Sequence, residues 1–195
     1  AAALDDRSVL GSRLAKMAAS SFILIVAIVG NEGNSYAVLV VVALAFSWIG
    51  DLALSYSAER SFLIGLVSFA VGHVFYVVAF AARGSLSIPW GALGLVLMLV
   101  IGISVLKWLE PHRPPEMRIP LVAYVTIIGA MVTFGFATHG GEADWRIPVA
   151  ALAFAVSDIL VARHQFVLRS AANRLIGLPL YFFAQALFAL TAIST

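Results

Sequence analysis

The stretch Phe46-Ser47-Trp48-Ile49-Gly50-Asp51 closes an apolar run that begins near residue 35, and its reading decides the fold. A run of about 20 mostly apolar residues is long enough to cross a bilayer as a helix. An acid sits close to the end of this one. A charged carboxyl at mid-bilayer costs roughly 2.5–3.5 kcal/mol on insertion scales, so a membrane helix that keeps one needs a partner for it or a task. The rest of the composition agrees with a membrane setting. The chain has 195 residues, of which 62% are hydrophobic and 11% charged, and its mean hydropathy is +1.02. That predicts an all-α, polytopic transmembrane helix bundle forming a single domain over 1–195. Twelve basic residues against 10 acidic ones are too balanced for a nucleic-acid binder. With no cysteine, disulfide and thiolate chemistry are excluded.

Working outward from Asp51, seven segments have spanning length: about 13–30, 35–56, 61–82, 89–107, 119–139, 145–163 and 173–194. The breaks carry turn residues, among them Gly30 to Asn34, Arg83-Gly84-Ser85, Pro111 to Pro115 and Gly140-Gly141. Short breaks make successive helices antiparallel neighbours. Ten basic residues fall on the side of the visible N-terminus and two, Arg83 and Arg146, on the other. By the positive-inside rule the N-terminus is cytoplasmic. Asp51 and Asp158 then lie at matched depth, roughly 7–8 Å inside the cytoplasmic face at 1.5 Å per residue. His73 and Gln185 lie deeper, at roughly 16 Å. A weak internal repeat pairs Leu63-Ile64-Gly65-Leu66 and His73 with Leu175-Ile176-Gly177-Leu178 and Gln185.

Two readings of the acids follow from the residues. In one, each carboxyl is a structural hydrogen-bonding group near the interface. In the other, the two line a single cavity open to the cytoplasm. Ser47, one turn before Asp51, is placed to hydrogen-bond it. His73 and Tyr76 share a face, as do Tyr181 and Gln185. Tyr124 reads as a packing residue, and His139 and His164 fall at opposite ends of the membrane. Arg60, Arg163 and Arg174 read mainly as topology determinants, with capacity to hold a lipid phosphate. A zinc hydrolase wants about three ligands close together; a single histidine lies within the spans. The seventh segment has no lysine for a retinal Schiff base, and the chain has no G-x-S-x-G elbow, P-loop or G-x-G-x-x-G.

The motifs themselves are distinctive in order and spacing. Phe46-Ser47-Trp48-Ile49-Gly50-Asp51-Leu52-Ala53-Leu54 resembles the first signature of the YhhN/TMEM86 membrane family. Phe62-x-x-Gly65-Leu66-x-x-Phe69-x-x-x-His73-x-x-Tyr76 is similar to the helix that follows it. Phe154-Ala155-Val156-Ser157-Asp158-Ile159-Leu160 resembles the second signature, and Tyr181 and Gln185 match polar positions of the last helix. The resemblance implies a lysoplasmalogenase-like hydrolase that cleaves the vinyl ether bond of lysoplasmalogens to a fatty aldehyde and a glycerophospho-alcohol. It implies Asp51 and Asp158 as catalytic acids, with His73, Tyr76, Tyr181 and Gln185 around the pocket. The family is described with eight spans, so it also implies a further N-terminal helix.

The implied chemistry suits paired carboxyls. Vinyl ether hydrolysis starts by protonating the β-carbon, which requires a positioned acid. An apolar site, and a second carboxyl nearby, both favour the neutral form of a carboxylic acid. Trp48 and Ile49 beside Asp51 favour it as the proton donor. The reaction needs no cofactor and no metal. The expected partners are a lysophospholipid substrate and membrane lipid, with no nucleic acid and no sequence mark of an oligomeric state. The expected location is a bacterial plasma membrane, with the site opening toward the cytoplasmic face. A proton-coupled carrier using the same acids is the alternative, and a non-catalytic lipid-binding protein is a third reading.

Overall fold

Apolar runs of membrane length fold as helices because lipid offers nothing to hydrogen-bond an open backbone. In the computed structural model the elements run α1 (Ala2–Val29), α2 (Ser35–Leu54), α3 (Glu59–Ala82), α4 (Ile88–Leu109), α5 (Arg118–Ala137), α6 (Arg146–Ala162) and α7 (Leu178–Ile193). The structure describes residues 2–31, 33–56, 58–84, 86–140 and 144–193, with backbone only for 2–9, 59 and 174. Among the described residues, seven helical segments are long and apolar enough to cross a membrane. The chain is an all-α membrane bundle.

Two boundaries differ from those expected of hydropathy, for physical reasons. The first helix begins at Ala2 rather than near 13. Its polar first turns lie outside the apolar window, yet alanine, leucine and arginine favour helix whatever the solvent. At the other end, α6 passes into a π-helical turn, Arg163–Val167, and another, Asn173–Gly177, leads into α7. Elsewhere local chemistry marks the helix ends. The side chain of Asn34 caps α2 by accepting from the Ala37 N–H at 2.8 Å. A proline sits in the first turn of α4, where its missing N–H costs little.

Successive helices pack as hairpins: α2 on α3, α4 on α5, α6 on α7. The hairpins join through α2 on α7, α3 on α5 and α5 on α6, while α1 lies against α2 and α7. The core gathers Val40, Tyr76, Phe80, Met131, Phe154 and Phe188, all fully buried. One face of α4 turns outward, with Leu95, Val96, Leu99, Val100 and Ile103 exposed, as lipid-facing residues would be. At the end of the bundle away from Asp51, Arg146 Nε donates to Asp144 Oδ1 at 2.8 Å, and Arg83 lies 3.6 Å from Asp144 Oδ2. Burial pushes the Asp144 carboxyl up, but the hydrogen bonds from Arg146 outweigh it and hold it below its ordinary range. Arg83 also covers the Tyr36 ring at 4.8 Å, and Tyr36 shares a 2.7 Å hydrogen bond with Thr191. This clasp ties α2, α3, α6 and α7 together opposite the acids.

The α2–α3 contact depends on Gly72. A Cβ there would stand 3.0 Å from the Ala43 carbonyl oxygen and 3.4 Å from Ser47 Oγ. Because the first of these is backbone, it cannot swing aside. Gly72→Val should therefore destabilise the chain by about 1–3 kcal/mol, the usual cost of overpacking. Thermal unfolding in detergent should show a lowered midpoint, whereas Gly11→Ala, with nothing within 4 Å, should leave it unchanged or raise it.

Candidate active site

Asp51 lies in the last turn of α2, and Asp158 in the last two turns of α6. Both helices run in the same direction, so the two acids reach the same end of the bundle. There they line one cavity of about 220 Å³. Its walls are largely apolar, with Phe62 and Leu66 from α3, Ile101 and Val105 from α4, and Val125 and Ile128 from α5.

Asp51 is buried, with 1% of its surface exposed. Tyr181 Oη donates to its Oδ2 at 2.6 Å, Ser20 Oγ donates to the same oxygen, and Lys16 Nζ lies 3.1 Å from Oδ1. Lys16 also donates to the Asp51 carbonyl at 3.2 Å. A chain of hydrogen bonds leads away from this carboxyl through α7 and α3. Tyr76 Oη donates to Gln185 Oε1 at 2.9 Å, and Gln185 Nε2 donates to Tyr181 Oη at 2.9 Å. The 3.6-residue period aligns Tyr181 with Gln185 one turn later.

Asp158 is held differently. Tyr124 Oη donates to its Oδ2 at 2.5 Å, and His73 Nε2 lies 3.5 Å from the same oxygen and 3.1 Å from Tyr124 Oη. Its side chain keeps 18% exposure against 2% for Asp51. Among the described residues, no lysine or arginine pairs with it. The His73 ring stands edge-on to Phe154 at 4.6 Å, and Phe154 is edge-on to Tyr181 at 5.3 Å. One aromatic ring thus separates the partner of one acid from the partner of the other.

The residues singled out in the sequence fall in three places. Asp51, Asp158 and Tyr181 line the cavity. His73, Tyr76 and Gln185 lie behind its lining and hold, directly or through Tyr181, the groups that do. Ser47 does not bond Asp51. Its hydroxyl donates to the Ala43 carbonyl at 3.0 Å, because that face of α2 is pressed against Gly72 of α3. Arg60 and Arg163 are absent from the cavity lining; Arg163 donates to Ser170 Oγ at 2.8 Å, and Arg60 is exposed. The side chain of Arg174 lies outside the described residues. Trp48 turns away to donate to Ser21 Oγ at 2.9 Å, and Ile49 is exposed, so neither dries the surroundings of Asp51.

Sequence reasoning missed Lys16, Ser20 and Tyr124. Lys16 and Ser20 lie one turn apart on α1 and face Asp51 together, a spacing visible in the sequence. What hid Lys16 was its place among the basic residues that set topology. Tyr124 carries no local signal, since a tyrosine in an apolar helix most often packs.

The chain matches the family model described as the YhhN family over residues 11–192. It is 31% identical over 162 residues to lysoplasmalogenase TMEM86B of Sus scrofa, covering 83% of this chain and 66% of that one. It is 31% identical over 160 residues to lysoplasmalogenase TMEM86A of Bos taurus, with 79% and 65% covered. To the Homo sapiens TMEM86B protein it is 33% identical over 164 residues, with 84% and 67% covered. The chain spans about two thirds of the length of these relatives. No solved structure matches it. With its seven apolar spans and a family match that runs almost from end to end, the chain belongs to the YhhN family.

Proposed function

We propose that this protein hydrolyses the vinyl ether bond of a lysoplasmalogen, releasing a fatty aldehyde and a glycerophospho-alcohol. The observation that carries the reading is that Asp51 and Asp158 share one largely apolar cavity but differ in their partners. The names of the relatives, lysoplasmalogenases at about one third identity, support the substrate class. The excess of basic residues at the acids' end of the bundle supports a cytoplasmic opening in a plasma membrane.

The partners divide the roles. Lys16, Ser20 and Tyr181 all donate to Asp51, a set that suits a carboxylate. Asp158 has Tyr124 and His73 on one oxygen and, among the described residues, no lysine or arginine, which suits the proton donor. This reverses the preference for Asp51 as donor that Trp48 and Ile49 had suggested. Asp158 gives its proton to the β-carbon of the vinyl ether, leaving an oxocarbenium at the α-carbon. Water adds there and passes a proton to Asp51. The hemiacetal then collapses: its hydroxyl proton goes to Asp158, and Asp51 protonates the departing glycerol oxygen. Both acids end as they began, and one water is consumed. The division resembles paired carboxylates in glycoside hydrolysis.

Purified protein given a lysoplasmalogen should release aldehyde, and given the saturated-ether analogue should release none. No aldehyde from the vinyl ether would sink the hydrolase reading and leave the carrier. Asp158→Asn and Asp51→Asn should each lower turnover by about 10²–10⁴, the usual worth of a positioned acid or base. Asp158→Asn should still elute as folded protein, whereas Asp51→Asn, which unpairs Lys16, should also unfold at a lower temperature.

Run in deuterium oxide, the reaction should place one deuterium on the aldehyde carbon next to the carbonyl, read by mass spectrometry. Slow carbon protonation should also give a normal solvent isotope effect. Absence of label at that carbon excludes proton transfer from Asp158 to carbon.

A further inference from the structure

The cavity has two kinds of wall, and the proposed reaction uses only part of it. The α4 and α5 side is apolar. The α6–α7 side carries His164, Gln165 and Asn173, on the two π-helical turns Arg163–Val167 and Asn173–Gly177. Such turns are rare, and they recur where a helix is bent to present side chains at a functional site. Here one carries α6 on past Ala162 and the other leads into α7, and both bring polar residues to the cavity.

These groups are open to a ligand, Gln165 exposed and Asn173 half-buried. Neither the Gln165 nor the Asn173 side chain makes a hydrogen bond within the described residues. Asn173 Oδ1 also occupies space that any larger residue at 177 would claim, since a Cβ on Gly177 would stand 2.7 Å from it and 3.2 Å from Leu160 Cβ. Amides placed in a cavity wall without partners have donors to offer a ligand. The Lys16 ammonium, which lines the cavity from α1, is already engaged by Asp51, so among the described residues of this wall the N–H groups of Gln165, Asn173 and His164 are the donors left for an anion. The place is also right for a lipid. It lies where α6 ends and α7 begins, at the end of the bundle, while the apolar wall extends inward along α4 and α5.

We infer that Gln165, Asn173 and His164 form the subsite for the phosphate-bearing head of a lysolipid, with its tail along the α4–α5 wall. The identity of the lipid rests on the hydrolase reading; the subsite itself does not. Arg60 and Arg163 then have no part in gripping the head.

The test uses two lipids that cannot be hydrolysed, a 1-O-alkyl-glycerophosphoethanolamine and the matching 1-O-alkylglycerol without phosphate, bound to the full chain in nanodiscs. The wild type should bind the phospholipid about tenfold tighter, the worth of a hydrogen bond or two to a charged group. The Gln165→Leu, Asn173→Leu double variant should lose that preference, and Arg60→Gln should keep it. Gly177→Ala retains both amides but crowds Asn173, and it should weaken the preference as well. If the leucines unfold the chain, Gly177→Ala decides: preference lost supports the subsite, preference kept overturns it. Equal binding of the two lipids by wild type overturns it too, as does displacement by inorganic phosphate as effective as by the phospholipid, which marks a general anion site. Aldehyde release is scored separately. A head preference lost in the variants, with no aldehyde from the wild type, leaves the subsite standing and removes the hydrolase.

Discussion

The contact between Asp51 and its donors is the constraint on which the bundle depends. A carboxyl among apolar helices must be matched, because breaking a buried charge pair by removing one partner costs about 3–5 kcal/mol. The donors come from two helices far apart in sequence: Lys16 and Ser20 from α1, and Tyr181 from α7. To meet them, α1, α2 and α7 must pack at one level, and they do so in direct mutual contact. Hydrophobic association cannot set this level, since lipid is as apolar as the helix surfaces. A polar anchor can.

A second anchor at Asp158 closes the other half in a crossed manner. Asp51 belongs to the α2–α3 hairpin and is bonded by Tyr181 of α7. Asp158 belongs to α6, ahead of α7, and is approached by His73 of α3. Each hairpin therefore supplies an acid and a partner for the other hairpin's acid. The helix before each pair adds a further donor, Ser20 from α1 and Tyr124 from α5. Phe69 and Phe154 fill the space between, 6.0 Å apart and both edge-on to Tyr181. Fold and site are thus one network, and a shift of either hairpin would displace both carboxyls.

Much of this was legible in the sequence, because the bilayer imposes simple rules. Span length fixes helix number, and charge in an apolar run marks Asp51 and Asp158. Counting residues put both acids at one end of the bundle, where they line one cavity. What stayed hidden depended on azimuth rather than depth. Ser47 shares a helix with Asp51 at the spacing of one turn, yet close packing against Gly72 turns it to its own backbone. Tyr124 looks like any buried tyrosine until α5 meets α6. Lys16 carries the same letter as a topology signal and a salt-bridge partner, and only tertiary packing separates the two. The π-helical turns were hidden as well, since hydropathy does not register one extra residue per turn.

The two aspartates reach the same end of the bundle, line the same cavity and differ in company. On the proposed reading that difference divides acid from base. Two carboxyls with the same partners would compete for the same protonation state. Here Lys16 places a cation on one and not on the other, and accessibility follows the same division, 2% for Asp51 and 18% for Asp158. Environment, not residue type, assigns such roles. The more enclosed acid is the one held by three donors; the more open one faces the cavity with only a tyrosine and a histidine behind it. Each aspartate thus ties helices together, and the two do so with different company in one cavity.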